Sequence, residues 1–144
     1  CEGGALEPLW SALALARMLQ RTSAYPLLVL TDLAELPGGG RLRELLQRLN
    51  AFPLPLRELS APPARLRKAS ARRGWETTRW KLGAWRLTQY RKLVWLDADS
   101  AVTRSLDWLF ERPGMWAQRD DPQCKLRQAR ASVSLLSLSP SEGD

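Results

Sequence analysis

Two carboxylates one residue apart, Asp97 and Asp99, follow directly on the apolar run Leu93-Val94-Trp95-Leu96. A continuous hydrophobic run of this kind reads as a strand of a parallel sheet covered on both faces, not as a half-wet alternating strand. Ligands of α/β sheets sit outside the carboxyl ends of the strands, which is where this order of residues puts both carboxylates. Hard oxygen donors there suit magnesium or manganese bridging to a phosphate-bearing substrate. The same Asp-x-Asp triplet is equally at home in a solvated turn or at the N-cap of a following helix, because aspartate serves both.

The elements that must hold these residues form a coarse βα alternation. Leu6 to Gln20 reads as a helix with Leu9, Leu13, Ala16 and Leu19 on one side, and Leu27 to Leu30 as a short buried strand ending in Thr31-Asp32. Gly38-Gly39-Gly40 lacks the Gly-Lys-Ser ending of a P-loop and the spaced glycines of a dinucleotide fingerprint, so it reads as a flexible turn. It leads into a helix over Arg41 to Leu49 with a stripe of Leu42, Leu45, Leu46 and Leu49. Pro53, Pro55, Pro62 and Pro63 allow at most an edge strand around Leu54 to Leu59, then a turn. A helix from Glu76 to about Tyr90 would bury Trp80, Ala84 and Leu87, with Leu82 and Trp85 beside them. After the carboxylates, Ser105 can cap a short helix through Phe110, which Glu111-Arg112-Pro113-Gly114 stops. Alternation of this kind favours a doubly wound α/β sheet.

The chain of 144 residues is near the size of one domain, and its 44% hydrophobic content with seven Trp can fill a core. The formal charge of +7 is local. Arg65, Arg67, Lys68, Arg72, Arg73, Arg79, Lys81, Arg86, Arg91 and Lys92 face a single acid, Glu76, in one stretch, which makes +9 there and −2 for the remainder. Interleaved with Trp75, Trp80, Trp85 and Tyr90, that stretch could track a polynucleotide with the rings as stacking platforms. A helix that buries its rings leaves none to stack on bases, and a pyrophosphate needs far fewer cations than a nucleic acid does. No nucleic-acid partner is therefore expected.

The residues around the triplet resemble a known family. Lys81-Leu82-x-x-Trp85-x-Leu87-Thr88-Gln89-Tyr90-x-Lys92-x-Val94-x-Leu96-Asp97-Ala98-Asp99, followed by Leu106-Asp107-x-Leu109-Phe110, is similar to the core of glycosyltransferase family eight, the glycogenin-like enzymes. Weaker similarity covers Trp10 to Leu19 as the family's first helix, Pro26 to Leu30 as its second strand, and Val133 to Ser141 as the strand and Pro-Ser exit after the metal motif. The resemblance implies an α/β, GT-A-like (Rossmann-like) fold, with a mostly parallel sheet flanked by helices, incomplete here. It further implies a UDP-sugar donor, a divalent cation (Mn2+ before Mg2+), and transfer of a hexose-type sugar with retention to a carbohydrate or protein acceptor.

Carried over residue by residue, the resemblance makes Asp99 a metal ligand and Asp97 a ligand that also reaches the donor's ribose or sugar. It sets the backbone of Ala98 against the nucleotide and Lys81 and Arg72 near the donor. Asp120 aligns with an aspartate that follows the family's motif, although Asp120-Asp121-Pro122 is equally a simple turn. Where the family carries Asn-Ser-Gly beside the donor sugar, this chain has Ser132-Val133-Ser134, a smaller hydroxyl in place of an amide. The chain has no histidine, whereas the family completes its metal site with one. The family's opening strand and its later segment near the reacting carbon have no counterpart, so no catalytic centre beyond the metal motif is expected, and both ends read as cut. Tyr25 and Tyr90 match no acceptor position.

Cys1 and Cys124 fit neither a disulfide framework nor a metal-binding spacing and read as free thiols. No apolar run approaches the length of a membrane span and no signal peptide is recognisable, which leaves cytoplasm and Golgi lumen both open. Three functional classes follow: part of a metal-dependent sugar transferase, an inactive module that keeps the fold, and a basic nucleic-acid binder.

Overall fold

The computed structural model describes residues 7–36, 39–59, 79–119 and 131–140. Along the chain these form α1 (Glu7–Thr22), β1 (Leu27–Leu30), α2 (Leu42–Arg48), β2 (Ala51–Leu54), a 3₁₀ turn (Leu56–Leu59), α3 (Arg79–Gly83) continued by a 3₁₀ turn (Ala84–Arg86), β3 (Leu93–Leu96), α4 (Trp108–Glu111), β4 (Trp116–Arg119) and β5 (Ala131–Leu138). They divide into two compact units, Cys1–Pro55 with Leu96–Arg112 and Leu56–Trp95 with Pro113–Asp144.

In the first unit, Glu7 in the first turn of α1 and Arg21 in its last complement the helix dipole, and the apolar spacing turns Leu9 and Ala16 inward. Leu9, Ala16, Val29, Leu42, Leu46 and Ala51 form one buried cluster, with Ala12, Leu13, Leu27, Leu36 and Leu49 packed on it. The strand members Leu27, Val29 and Ala51 alternate, so they occupy one face of the sheet. On the other face Phe52 is exposed and Leu28 half-buried; the strand read as buried is sealed only at Val29. Gln20 Nε2 donates to the Arg48 carbonyl at 2.7 Å and ties the ends of α1 and α2 together. Gly39 and Gly40 adopt positive φ, 93° and 98°, in the turn that enters α2.

β1 and β2 pair in parallel, Leu27 against Ala51 through Leu30 against Leu54. The strand anticipated at Leu54 to Leu59 lies earlier, and Leu56–Leu59 is a 3₁₀ turn instead. Pro53 is tolerated inside β2 for a geometric reason. The Leu27 N–H donates to the Asn50 carbonyl and the Thr31 N–H to the Leu54 carbonyl, so the even-numbered residues of β2 turn their hydrogen-bonding groups to β1. The N–H that Pro53 lacks would point away from the pair.

In the second unit the strand order is β3-β5-β4, with β4 and β5 antiparallel. The described strands thus form two sheets, a parallel pair and a sheet with an antiparallel pair, a mixed α/β arrangement compatible with an incomplete α/β fold. β3 is an outer strand of its sheet and all four of its residues are half-buried, so it is not the doubly covered strand its composition suggested. β4 was not foreseen, its sequence Trp-Ala-Gln-Arg being too short to show a period.

The anticipated helix from Glu76 is described only from Arg79, and α passes into 3₁₀ at Ala84. Its end has a visible cause: the Leu87 N–H turns to the Ala84 carbonyl and Leu87 leaves the helical region at ψ 56°, so that the chain can turn toward β3. Ala84 and Leu87 are buried as expected and Trp85 is half-buried, but Leu82 is exposed. Ala84 and Leu138 form the small core, with Trp85, Leu93 and Trp95 against it. At Gly83 a Cβ would lie 2.6 Å from the Leu59 carbonyl oxygen, so only glycine lets α3 rest on that turn.

Candidate functional site

The aspartate pair sits on a β-turn that begins where β3 ends. The Ser100 N–H donates to the Asp97 carbonyl at 2.9 Å, placing Ala98 and Asp99 at the two central positions. Asp97 is half-buried, whereas Ala98 and Asp99 are exposed. A turn accounts for aspartate at this place on structural grounds alone, and it also presents a carboxylate to solvent at the carboxyl end of a strand.

For a divalent cation the donor set is chemically suitable but partial. Both groups are hard carboxylate oxygens. Among the described residues no group of three or more His, Cys, Asp or Glu gathers. Magnesium-type sites commonly take one or two carboxylates and complete the shell with substrate phosphates and water, so the pair fits half of such a site.

Asp97, Ala98 and Asp99 are brought together by this turn of the first unit. Lys81, half-buried on α3, belongs to the second unit, as does Ser132 on β5. Arg72 and Asp120 lie outside the described residues. Ser132 pairs with Gln118, and Leu136 pairs with the preceding residue Ala117, so the register of β4 passes over Val133, Ser134 and Leu135. The pairing is thus irregular immediately after Ser132.

Asp107 has a structural role that the sequence reading did not give it. Its carboxylate accepts the Ser23 hydroxyl at 2.5 Å and the Ala24 N–H at 2.9 Å, linking the α1–β1 junction to the segment after the aspartate turn. Ser105, expected to cap the helix, instead accepts the Asp107 N–H at 3.1 Å, and α4 begins only at Trp108. The ring of Tyr25 stacks on Phe110 with centroids 3.9 Å apart, reinforcing the same junction. The available signal was the Leu106-Asp107-x-Leu109-Phe110 pattern, which marked the residue without showing its distant partners.

No family model matches the chain. Short stretches are similar to known proteins: 58% identity over 40 residues to glycogenin-1 of Caenorhabditis elegans, and 48% over 46 residues to glycogenin-1 of Oryctolagus cuniculus. A third, at 41% over 39 residues, is an Arabidopsis thaliana protein provisionally named UDP-glucuronate:xylan alpha-glucuronosyltransferase 3. These stretches cover 28%, 31% and 27% of this chain and only 9%, 14% and 6% of the respective relatives. Over that part of its length the chain is similar to glycosyltransferases. No described helix is long and apolar enough to cross a membrane.

Proposed function

We propose that this chain is the donor-binding part of a metal-dependent glycosyltransferase that, within a longer protein, transfers a hexose-type sugar from a UDP-sugar with retention. The observation that carries the reading is the exposed aspartate turn at the carboxyl end of β3, in a chain similar over part of its length to glycosyltransferases. One relative's name specifies a UDP-linked donor, which supports UDP as the nucleotide.

Asp97 and Asp99 are the proposed metal ligands, Mn2+ before Mg2+. When bound, the cation would neutralise charge on the departing nucleoside diphosphate. The chain's own residues orient the donor. Asp97 serves its ribose or sugar as well, the backbone of Ala98 lies against the nucleotide, and Lys81 and Arg72 offset diphosphate charge, Lys81 as a point charge and Arg72 as a planar fork. Ser132 is carried over from the resemblance as a donor-binding residue, with a hydroxyl in place of the family's amide. The acceptor is a carbohydrate or a protein, and no catalytic residue is assigned among the residues of this chain.

A second reading, a GT-A-like binding module without activity, is favoured by Ser132-Val133-Ser134 in the place of the family's Asn-Ser-Gly. The nucleic-acid reading rests on the basic stretch, most of which lies outside the described residues.

Calorimetric titration with UDP, with and without Mn2+, separates these readings. The expected result is Mn2+-dependent binding that Asp99→Ala weakens by roughly tenfold or more. Because Asp99 is exposed, the variant should unfold within about 0.5 kcal/mol of the parent. A folded chain that binds UDP equally with and without Mn2+, or not at all, would sink the transferase reading of this segment and leave the inactive module.

A further inference from the structure

Between the aspartate turn and α4 the chain has no regular structure, so its place in the first unit depends on side-chain anchors. Val102 and Leu109 are buried there and supply apolar attachment, which is non-directional. A directional attachment is made by Asp107. Its two carboxylate oxygens take separate donors, the Ser23 hydroxyl and the Ala24 N–H, and the Ser23 oxygen in turn accepts the Tyr25 N–H at 3.1 Å. The Asp107 N–H is itself satisfied by Ser105 Oγ. Residues far apart in sequence are thereby locked in one arrangement, and the Tyr25–Phe110 stack closes the same junction from the side.

We infer that Asp107 is a positioning residue for the aspartate turn, fixing the downstream end of the segment that carries Asp97 and Asp99. This assignment rests on the proposed donor-site reading for its functional meaning, but its structural content can be tested separately. Charge-assisted hydrogen bonds are about twice as strong as neutral ones and fix direction, so a carboxylate with two donors determines where the following backbone lies. An amide in its place loses the charge, and it can keep the Ala24 N–H only by turning its NH2 to the Ser23 oxygen and reversing that bond.

The test compares Asp107→Asn and Ser23→Ala with the parent chain by native-state hydrogen exchange and by Mn2+ titration. Local loosening is expected to speed exchange of the Ser100 amide, whose bond to Asp97 closes the turn, by about fivefold or more beyond any change at the Leu46 amide of α2. Asp107→Glu, which restores the charge, should recover part of that protection. Equal acceleration at Ser100 and Leu46 would overturn the inference, because Asp107 would then act only on the stability of the unit as a whole. Mn2+ affinity reports on the functional half: local loosening with weakened Mn2+ binding supports both readings. Loosening in a chain whose parent binds no Mn2+ supports the positioning role and overturns the donor site.

Discussion

The two units assemble their cores from partners at different distances along the chain. The first gathers Leu9 through Ala51 in one buried cluster, each helix close in sequence to the strand it covers. The second joins Ala84 to Leu138 across a long stretch of chain, and it seats Gly83 on the backbone of Leu59. Local pattern can specify the first arrangement, whereas in the second the partners must be found by folding. The difference predicts that the first unit suffers most from lost apolar volume and the second from lost close approach.

The largest effect should come from Leu46→Ala. Leu46 is completely buried among α1, β1 and β2 residues, and truncating such a leucine costs about 3 kcal/mol, part of it from the cavity left behind. Urea denaturation checks this. A loss below about 1 kcal/mol would mean that the cluster collapses around the gap and that the first unit is less tightly specified than the comparison holds.

Gly83→Ala examines the other side and should cost about 2 kcal/mol. Its new methyl would meet the Leu59 carbonyl oxygen at 2.6 Å and the Leu59 Cβ at 2.8 Å, and backbone at that range cannot step aside as a flexible side chain would. An alanine in a helix is otherwise favourable by up to about 1 kcal/mol over glycine, so a neutral or stabilising result would show that α3 does not depend on this approach.

The same contrast explains what could be read from the residues. α1 and α2 were legible to within two residues because each carries its own period, β1 because it is a continuous apolar run, and the leucine stripe of α2 points where it was expected. The strand beside the prolines was displaced because a sequence does not show which of its N–H groups face a neighbour; Pro53 is admissible in β2 only because its missing donor points outward. The helix before β3 was overextended, since Leu82, Trp85 and Leu87 continue an apolar pattern past the place where the Leu87 N–H turns back to Ala84. At the candidate site the aspartate spacing and the preceding strand could be read directly. The clasp of Asp107 on Ser23 and Ala24 could not, because its partners lie more than 80 residues away.

The smallest effect sharpens the comparison from within the first unit. Asn50 has φ 52° in the link between α2 and β2, a conformation in which asparagine is tolerated far better than alanine. Its N–H bonds the Gln47 carbonyl at the end of α2, and its own carbonyl accepts the Leu27 N–H, the first bond of the parallel pair. One residue therefore both ends a helix and sets the register of the next strand. Asn50→Ala should cost about 1 kcal/mol, while Asn50→Gly should be nearly neutral, glycine reaching the left-handed region without strain but losing more chain entropy. If alanine and glycine proved equivalent in urea denaturation, the link would not be holding this conformation under strain. The register of β1 and β2 would then depend on burial of Val29 and Ala51 alone.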